Sequence, residues 1–193
     1  MGGDTYKRDV GRASKSSTSF GKVKKAYTKK ASEVISRRKV GSPLTLPCNL
    51  GSIQCYAKTP LGIAMDGTGS MGEAAFTIYD KMPMFWGQMV MKNYVRDPAI
   101  SFSMIGDVDG DKWPIQVCKF SKSDDLDVQL QLLYIEQGGG GQCRESYETM
   151  AYYYANFCEL IDPELAIFFF IGDEGFYETL TLEQRHFSPS QIL

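Results

Sequence analysis

The chain has 193 residues, of which 43% are hydrophobic and 23% charged, and its formal net charge is −2. This length and composition are typical of a globular protein with one domain and a tail. Because no apolar run approaches about 20 residues and the first residues lack a signal peptide's apolar core, we exclude a membrane span and expect a cytoplasmic protein.

Charge and cysteine content add two expectations. Residues 1–40 hold 12 Lys or Arg against 3 Asp or Glu, whereas the rest of the chain holds 9 against 20. We therefore divide the chain into a basic, flexible arm over 1–40, a linker or edge segment over 41–60, and a domain over 61–193. The five cysteines are odd in number and scattered, which favours reduced thiols over a disulfide framework.

The basic arm allows two interpretations. Clustered Lys and Arg can bind nucleic acid, an acidic protein surface or the acidic domain itself, with a helical piece over 22–38. Alternatively, the arm is a solvated tail that becomes ordered only in an assembly, such as that of a phage.

Apolar periodicity predicts the elements of the domain in chain order. Strands are expected at residues 61–65, 100–105, 115–120 and 165–171, and helical stretches at 73–94, 124–135 and 145–160. Pro83 predicts a kink or a break in the first helical stretch. The near-continuous apolar run at 165–171 is typical of a central parallel strand. The pattern predicts an α/β fold with a mostly parallel sheet, helices on both faces, and the third strand antiparallel at an edge.

The most informative loop follows the first predicted strand. Asp66, Thr68 and Ser70 alternate with glycines there, so one carboxylate and two hydroxyls can face a single point. Mg²⁺ prefers octahedral oxygen coordination at about 2.0–2.1 Å. Because ligands of parallel α/β sheets lie at the carboxyl ends of strands, this loop predicts a site for Mg²⁺ or Mn²⁺.

Acidic residues also fill the predicted hairpin after the second long strand. Asp107, Asp109 and Asp111 alternate as in a calcium loop, but Cys118 occupies the twelfth position, where an EF-hand needs Glu. We therefore interpret this segment as a hairpin connection, with Asp107 alone near the metal-binding edge.

The loop DGTGS at 66–70 resembles the metal-ion-dependent adhesion site (MIDAS) of von Willebrand factor A (vWA) domains, in the form found in bacterial and phage members. Further landmarks follow in the family's order: IGD at 105–107, a glycine run opening a helix at 138–146, and IGDE at 171–174. The resemblance implies a vWA-like, Rossmann-like fold in which Thr68 and Ser70 bind the ion directly. It also implies that Asp66 and Asp173 contribute carboxylates, and that an acidic side chain of a partner protein completes the site.

The resemblance is incomplete at two places. Where many vWA domains place a metal-binding Thr, this chain offers Gln142, Glu145 or a water molecule, and Glu145 has the alternative role of a helix-start carboxylate. After Asp173 only about 20 residues remain, so either the chain is truncated or this member lacks the family's last strand. The oligomeric state is left open.

Four other functions are conceivable for this sequence. A haloacid-dehalogenase-like phosphatase has D-x-D-G-T, but Ala64 stands at the nucleophile's position, so no aspartyl-phosphate can form. The glycine run lacks the Gly-Lys-Ser/Thr ending of a phosphate-binding loop, which argues against nucleotide binding. The single histidine, His186, is far from any nucleophile-like elbow in the sequence, which argues against a hydrolase with a catalytic triad. The remaining alternative is a structural or nucleic-acid-associated protein that binds through its basic arm. We expect a non-enzymatic protein.

Overall fold

The computed structural model describes residues 52–111, 113–130, 132–136, 144–178, 180–182 and 185–187. These residues contain three helices: α1 (Glu73–Lys92), α2 (Asp124–Leu130) and α3 (Tyr147–Phe157). The described strands are β1 (Ile53–Cys55), β2 (Thr59–Asp66), β3 (Pro98–Ile105), β4 (Ile115–Val117), β5 (Arg144–Glu145), β6 (Cys158–Leu160), β7 (Ile167–Ile171), β8 (Gly175–Phe176), β9 (Leu180–Leu182) and β10 (Arg185–Phe187).

A four-stranded sheet with the order β4-β3-β2-β7 forms the centre of the domain. Strands β3 and β7 both pair with β2 in parallel, so that Ala64 lies between Ser103 and Phe170. Strand β4 is antiparallel to β3, and the hairpin predicted between them is present. The expected α/β class, the mostly parallel sheet and the antiparallel third strand at an edge are therefore confirmed.

Alternating side chains of β2 fill two separate cores. Leu61, Ile63 and Met65 pack with residues of α1 and α2 on one face of the sheet. On the other face, Ala64 packs with Met150 and Tyr153 of α3. All eight residues of β2 are buried, as expected for a strand of a parallel sheet that helices cover on both faces. Helices therefore cover both faces, as predicted.

Helix α1 is continuous through Pro83, so the predicted break into two helices is wrong. A proline inside a helix removes one backbone hydrogen bond and costs about 3 kcal/mol. Met82, Trp86 and Met89 of the same helix are buried against the sheet. Burying each such side chain contributes about 1.5–3 kcal/mol, which offsets the cost of the proline.

Helix α2 ends at Leu130 and not at residue 135, because a buried side chain holds the following segment. The amide nitrogen Nε2 of Gln116 donates to the carbonyl of Tyr134 at 2.8 Å, and its Oε1 accepts from the Tyr134 N–H at 2.8 Å. Both backbone groups of Tyr134 are thus used outside a helix. A long-range contact of this kind leaves no local signal in the sequence.

The third predicted helix is shorter at both ends than its expected range, 145–160. Glu145 belongs to β5, which pairs in parallel with β8. Cys158 leaves the helical conformation and starts β6, which pairs in parallel with β1. The described part of the segment 41–60 therefore contains β1 and the first two residues of β2.

Among the described residues strand β7 pairs only with β2, so its prediction as a central strand is not confirmed. Phe168, Phe169 and Phe170 are 36%, 45% and 44% exposed. Strand β7 has the apolar composition of a covered strand, but no described strand pairs with its outer side.

Two predictions fall on residues that the structure does not describe. These are the basic arm over 1–40 and the glycine run with Gln142. Within the described part of the chain, no helix is long and apolar enough to cross a membrane.

Candidate metal centre

Three parallel strands bring acidic residues to one edge of the sheet. Asp66 is the last residue of β2, Asp107 lies two residues after β3, and Asp173 lies two residues after β7. Because these strands run in the same direction, their carboxyl ends meet at this edge.

Asp66 is fully buried and accepts three hydrogen bonds. Its Oδ1 accepts from the N–H of Thr68 at 2.8 Å and from the Thr68 hydroxyl at 2.6 Å. Its Oδ2 accepts from the hydroxyl of Tyr147 at 2.7 Å. The loop after β2 is thereby folded back on its own first carboxylate.

A chain of oxygen atoms leads from this buried carboxylate to the surface. The hydroxyl oxygens of Thr68 and Ser70 lie 3.1 Å apart, and the Ser70 hydroxyl donates to Oδ1 of Asp173 at 3.0 Å. Thr68 is buried, whereas Ser70 and Asp173 are exposed. The structure therefore brings together all four residues of the predicted metal set, in a site that is closed at Asp66 and open at Asp173.

Glu145 lies beside these groups, as one of the predicted alternatives for the middle loop requires. It is 3% exposed, and its Oε2 has no hydrogen-bond partner among the described residues. Burial raises the pKa of the Glu145 carboxyl, the nearby charges of Asp66 and Asp107 act in the same direction, and the resulting value is about 8. A hydrogen bond with Thr68 acts in the opposite direction. The alternative role as a helix-start carboxylate is not supported, because α3 starts two residues later.

Asp107 is fully buried and belongs to a neighbouring network. Its Oδ1 accepts from the N–H of Asp109 at 3.0 Å and from the hydroxyl of Tyr177 at 2.6 Å. The backbone N–H of Asp107 donates to Oδ2 of Asp111 at 2.8 Å. Burial raises the pKa of the Asp111 carboxyl, and the charge of Glu136 adds to this. The acidic hairpin is thus folded on itself around Asp107, as expected for a connection.

Tyr147 and Tyr177 contribute to the site and were missed by the sequence analysis. Each donates its hydroxyl proton to a buried carboxylate, Asp66 or Asp107, which lies 70 or more residues away in the chain. Burial raises the pKa of both phenols, and the hydrogen bonds to the carboxylates strengthen the effect. Neither tyrosine lies in a recognisable motif, so no local signal could have identified it.

The donor set suits a small, hard cation. In an octahedron with metal–oxygen distances of about 2.0–2.1 Å, neighbouring oxygens are about 2.9 Å apart, close to the spacings at Thr68, Ser70 and Asp173. No ion pair with another described residue neutralises Asp66, Glu145 or Asp173. No three His, Cys, Asp or Glu side chains among the described residues are grouped to hold a metal ion. An ion here would therefore depend on the two hydroxyls as well as on carboxylates.

Ala64, which stands where a phosphatase of the haloacid-dehalogenase type has its nucleophile, has a structural role. Ala64 is fully buried in β2 and packs in the core beneath α3. Its methyl group cannot act as a nucleophile.

Comparisons with known proteins identify no relative. No protein-family model matches the chain, and neither a curated protein nor a solved structure matches it.

Proposed function

We propose that this chain is a vWA-like module that binds Mg²⁺ or Mn²⁺ through Asp66, Thr68, Ser70 and Asp173 and recognises an acidic side chain of a partner protein. The observation that carries the proposal is the pair of hydroxyl oxygens of Thr68 and Ser70, 3.1 Å apart, with a carboxylate on each side.

The number of protons available to the oxygen atoms of Thr68, Ser70 and the two carboxylates favours a bound cation. A hydroxyl has one proton, and those of Thr68 and Ser70 are directed to Asp66 and Asp173. The 3.1 Å contact between the two hydroxyl oxygens would need one of the same two protons, so the three contacts cannot all be hydrogen bonds at once. A cation bound by both oxygens would replace this competition for protons with two coordination bonds.

The shape of the site supports an external ligand. Asp66 and Thr68 close the inner side, whereas Ser70 and Asp173 are exposed on the outer side. An ion held by the inner oxygens would keep coordination positions toward solvent, where water or a partner carboxylate can bind. Since an uncompensated dication is the largest local charge in such a site, a carboxylate is the favoured protein ligand. The proposal assigns no catalytic residue.

Titration with Mn²⁺, followed by electron paramagnetic resonance, tests the ion site directly. We expect one Mn²⁺ ion to bind the full chain, Mg²⁺ to compete with it, and Ser70→Ala and Asp173→Asn to weaken binding at least tenfold. Asp125→Asn is the matched control, because Asp125 is an exposed carboxylate in the first turn of α2. Equal binding by the control and the site variants would refute the assignment.

Capture of partners from a lysate of the native host tests the recognition step. A partner bound in Mg²⁺, released by EDTA and lost in Asp173→Asn would support metal-dependent recognition. Binding that survives EDTA but is lost in high salt would instead favour the basic arm over 1–40 as the binding element.

A further inference from the structure

Strand β7 has the sequence IFFFI, which reads the same in both directions around Phe169. Its three phenylalanines are each more than a third exposed. Among the described residues the strand pairs only with β2, so one side of its backbone has no neighbouring strand. Exposed apolar edges of this kind are templates for pairing with another strand, and β7 carries no charge or proline that would prevent it.

Both faces of β7 are incompletely covered. On the side of α3, the ring of Phe168 lies 4.5 Å from that of Tyr154 and 4.8 Å from that of Phe170. On the side of α1, an apolar groove of about 390 Å³ lies between the helix and β7, and Phe85 and Phe169 line it. A neighbouring strand would therefore have apolar contacts available on both faces of the sheet.

We propose that a second copy of this chain occupies this edge, with the two β7 strands antiparallel and Phe169 opposite its equivalent. A two-fold axis perpendicular to the sheet produces this arrangement and extends the four-stranded sheet to eight strands. It also keeps the α1 sides of both copies on one face, so apolar surface meets apolar surface.

The palindrome makes this pairing self-complementary. In an antiparallel pair centred on Phe169, Phe168 faces Phe170 of the other copy, and Ile167 faces Ile171. Every cross-strand pair then joins like with like, and aromatic pairs across strands stabilise a sheet relative to alanine pairs. A symmetric dimer uses the same patch on both subunits, which a palindromic strand fulfils without further adaptation.

The dimer does not depend on the proposed cation. The pairing surface is the lateral edge of β7, whereas the metal centre lies beyond its carboxyl end. We therefore expect the dimer to persist in EDTA. Loss of metal binding with retention of the dimer, or the reverse, would separate the two proposals.

Sedimentation equilibrium of the full chain tests the dimer. The monomer mass is 21.6 kDa, and we expect twice that mass at micromolar concentrations, with or without EDTA. Phe169→Lys places two like charges opposite each other and should return the monomer mass. Tyr94→Lys is the matched control, because Tyr94 is a 69% exposed aromatic residue outside the strand. A wild-type chain that stays monomeric at a concentration of about 100 micromolar would overturn the proposal.

Crosslinking decides the geometry even if Phe169→Lys fails to fold. Residues directly opposite in antiparallel strands have Cα atoms about 4.5–5.5 Å apart, which is within the range for a disulfide. Oxidised Phe169→Cys should form a covalent dimer that wild type and Val128→Cys do not form, Val128 being 57% exposed on α2. A dimer that Phe169→Cys cannot crosslink would overturn pairing through β7.

Discussion

A β-carbon on Gly172 would overlap the hydroxyl oxygen of Tyr147 and lie 2.6 Å from its Cζ. The same hydroxyl donates to the buried carboxylate of Asp66. Glycine at this position therefore leaves the space that Tyr147 needs to reach Asp66. One missing side chain on the segment after β7 thus determines a hydrogen bond at the end of β2.

Replacing Gly172 with alanine should displace Tyr147 and lower the free energy of unfolding by about 1–3 kcal/mol, the usual cost of overpacking. Urea denaturation measures the change. In a Tyr147→Ala background the clash is absent, so Gly172→Ala should cost much less there. Equal costs in the two backgrounds would contradict the contact.

Millimolar Mg²⁺ or Mn²⁺ should raise the melting temperature of the wild-type chain. An ion at 100 times its dissociation constant stabilises the folded state by about 2.7 kcal/mol, which corresponds to several degrees for a domain of this size. Differential scanning calorimetry with and without EDTA measures the shift. The shift should vanish in Ser70→Ala and persist in Asp125→Asn, and a wild-type melting temperature that ignores both ions would argue against a metal centre.

Asp66→Ala should destabilise the metal-free protein, although removing a carboxylate from an acidic site relieves repulsion. The substitution leaves the N–H and hydroxyl of Thr68 and the hydroxyl of Tyr147 without their acceptor. Unsatisfied buried donors cost about 1–3 kcal/mol each, and relief of repulsion offsets only part of this. Denaturation in EDTA should show a loss of at least 1 kcal/mol. A more stable variant would mean that repulsion dominates the site.

Stability of the metal-free protein should fall as the pH rises from about 5 to about 8. Burial raises the pKa of Glu145 to about 8 and that of Glu148 to about 7. Both values exceed the ordinary carboxyl value, so in this window the folded state binds more protons than the unfolded state. Stability then decreases with pH.

Urea unfolding at several pH values in EDTA measures this slope, and Glu145→Gln should reduce it. Saturating Mg²⁺ should also reduce it, because a nearby cation favours the ionised carboxylate. A slope that is zero or positive between pH 5 and 8 in wild type would show that these carboxyls do not hold protons in the folded state.

The central sheet and the three site residues of the loop after β2 could be predicted because their signals are local in the sequence. Asp66, Thr68 and Ser70 lie within one pentapeptide, and an apolar strand before them fixes which edge they face. Asp173 is implied by the resemblance to vWA domains, and the structure places it just after β7, where the parallel strands end at a common edge.

The rest depended on contacts between distant segments. The end of α2 is determined by Gln116, and the orientation of Asp66 by Tyr147, 81 residues later in the chain. The apolar run of β7 predicted a central strand, but among the described residues β7 pairs only with β2 and its phenylalanines are each more than a third exposed. These features arise from tertiary packing, which local periodicity does not encode.

The two proposed surfaces lie at different places on β7, one along its side and one beyond its carboxyl end, and this has a consequence for valency. Asp173 lies beyond the carboxyl end of β7, so antiparallel pairing would put the two copies of Asp173 at opposite ends of the strand pair. The two ion sites would then face opposite ends of the joined sheet. Such a dimer is bivalent and can bridge two carboxylate-bearing partners. A partner with repeated binding sites would be held with an avidity beyond that of either site alone.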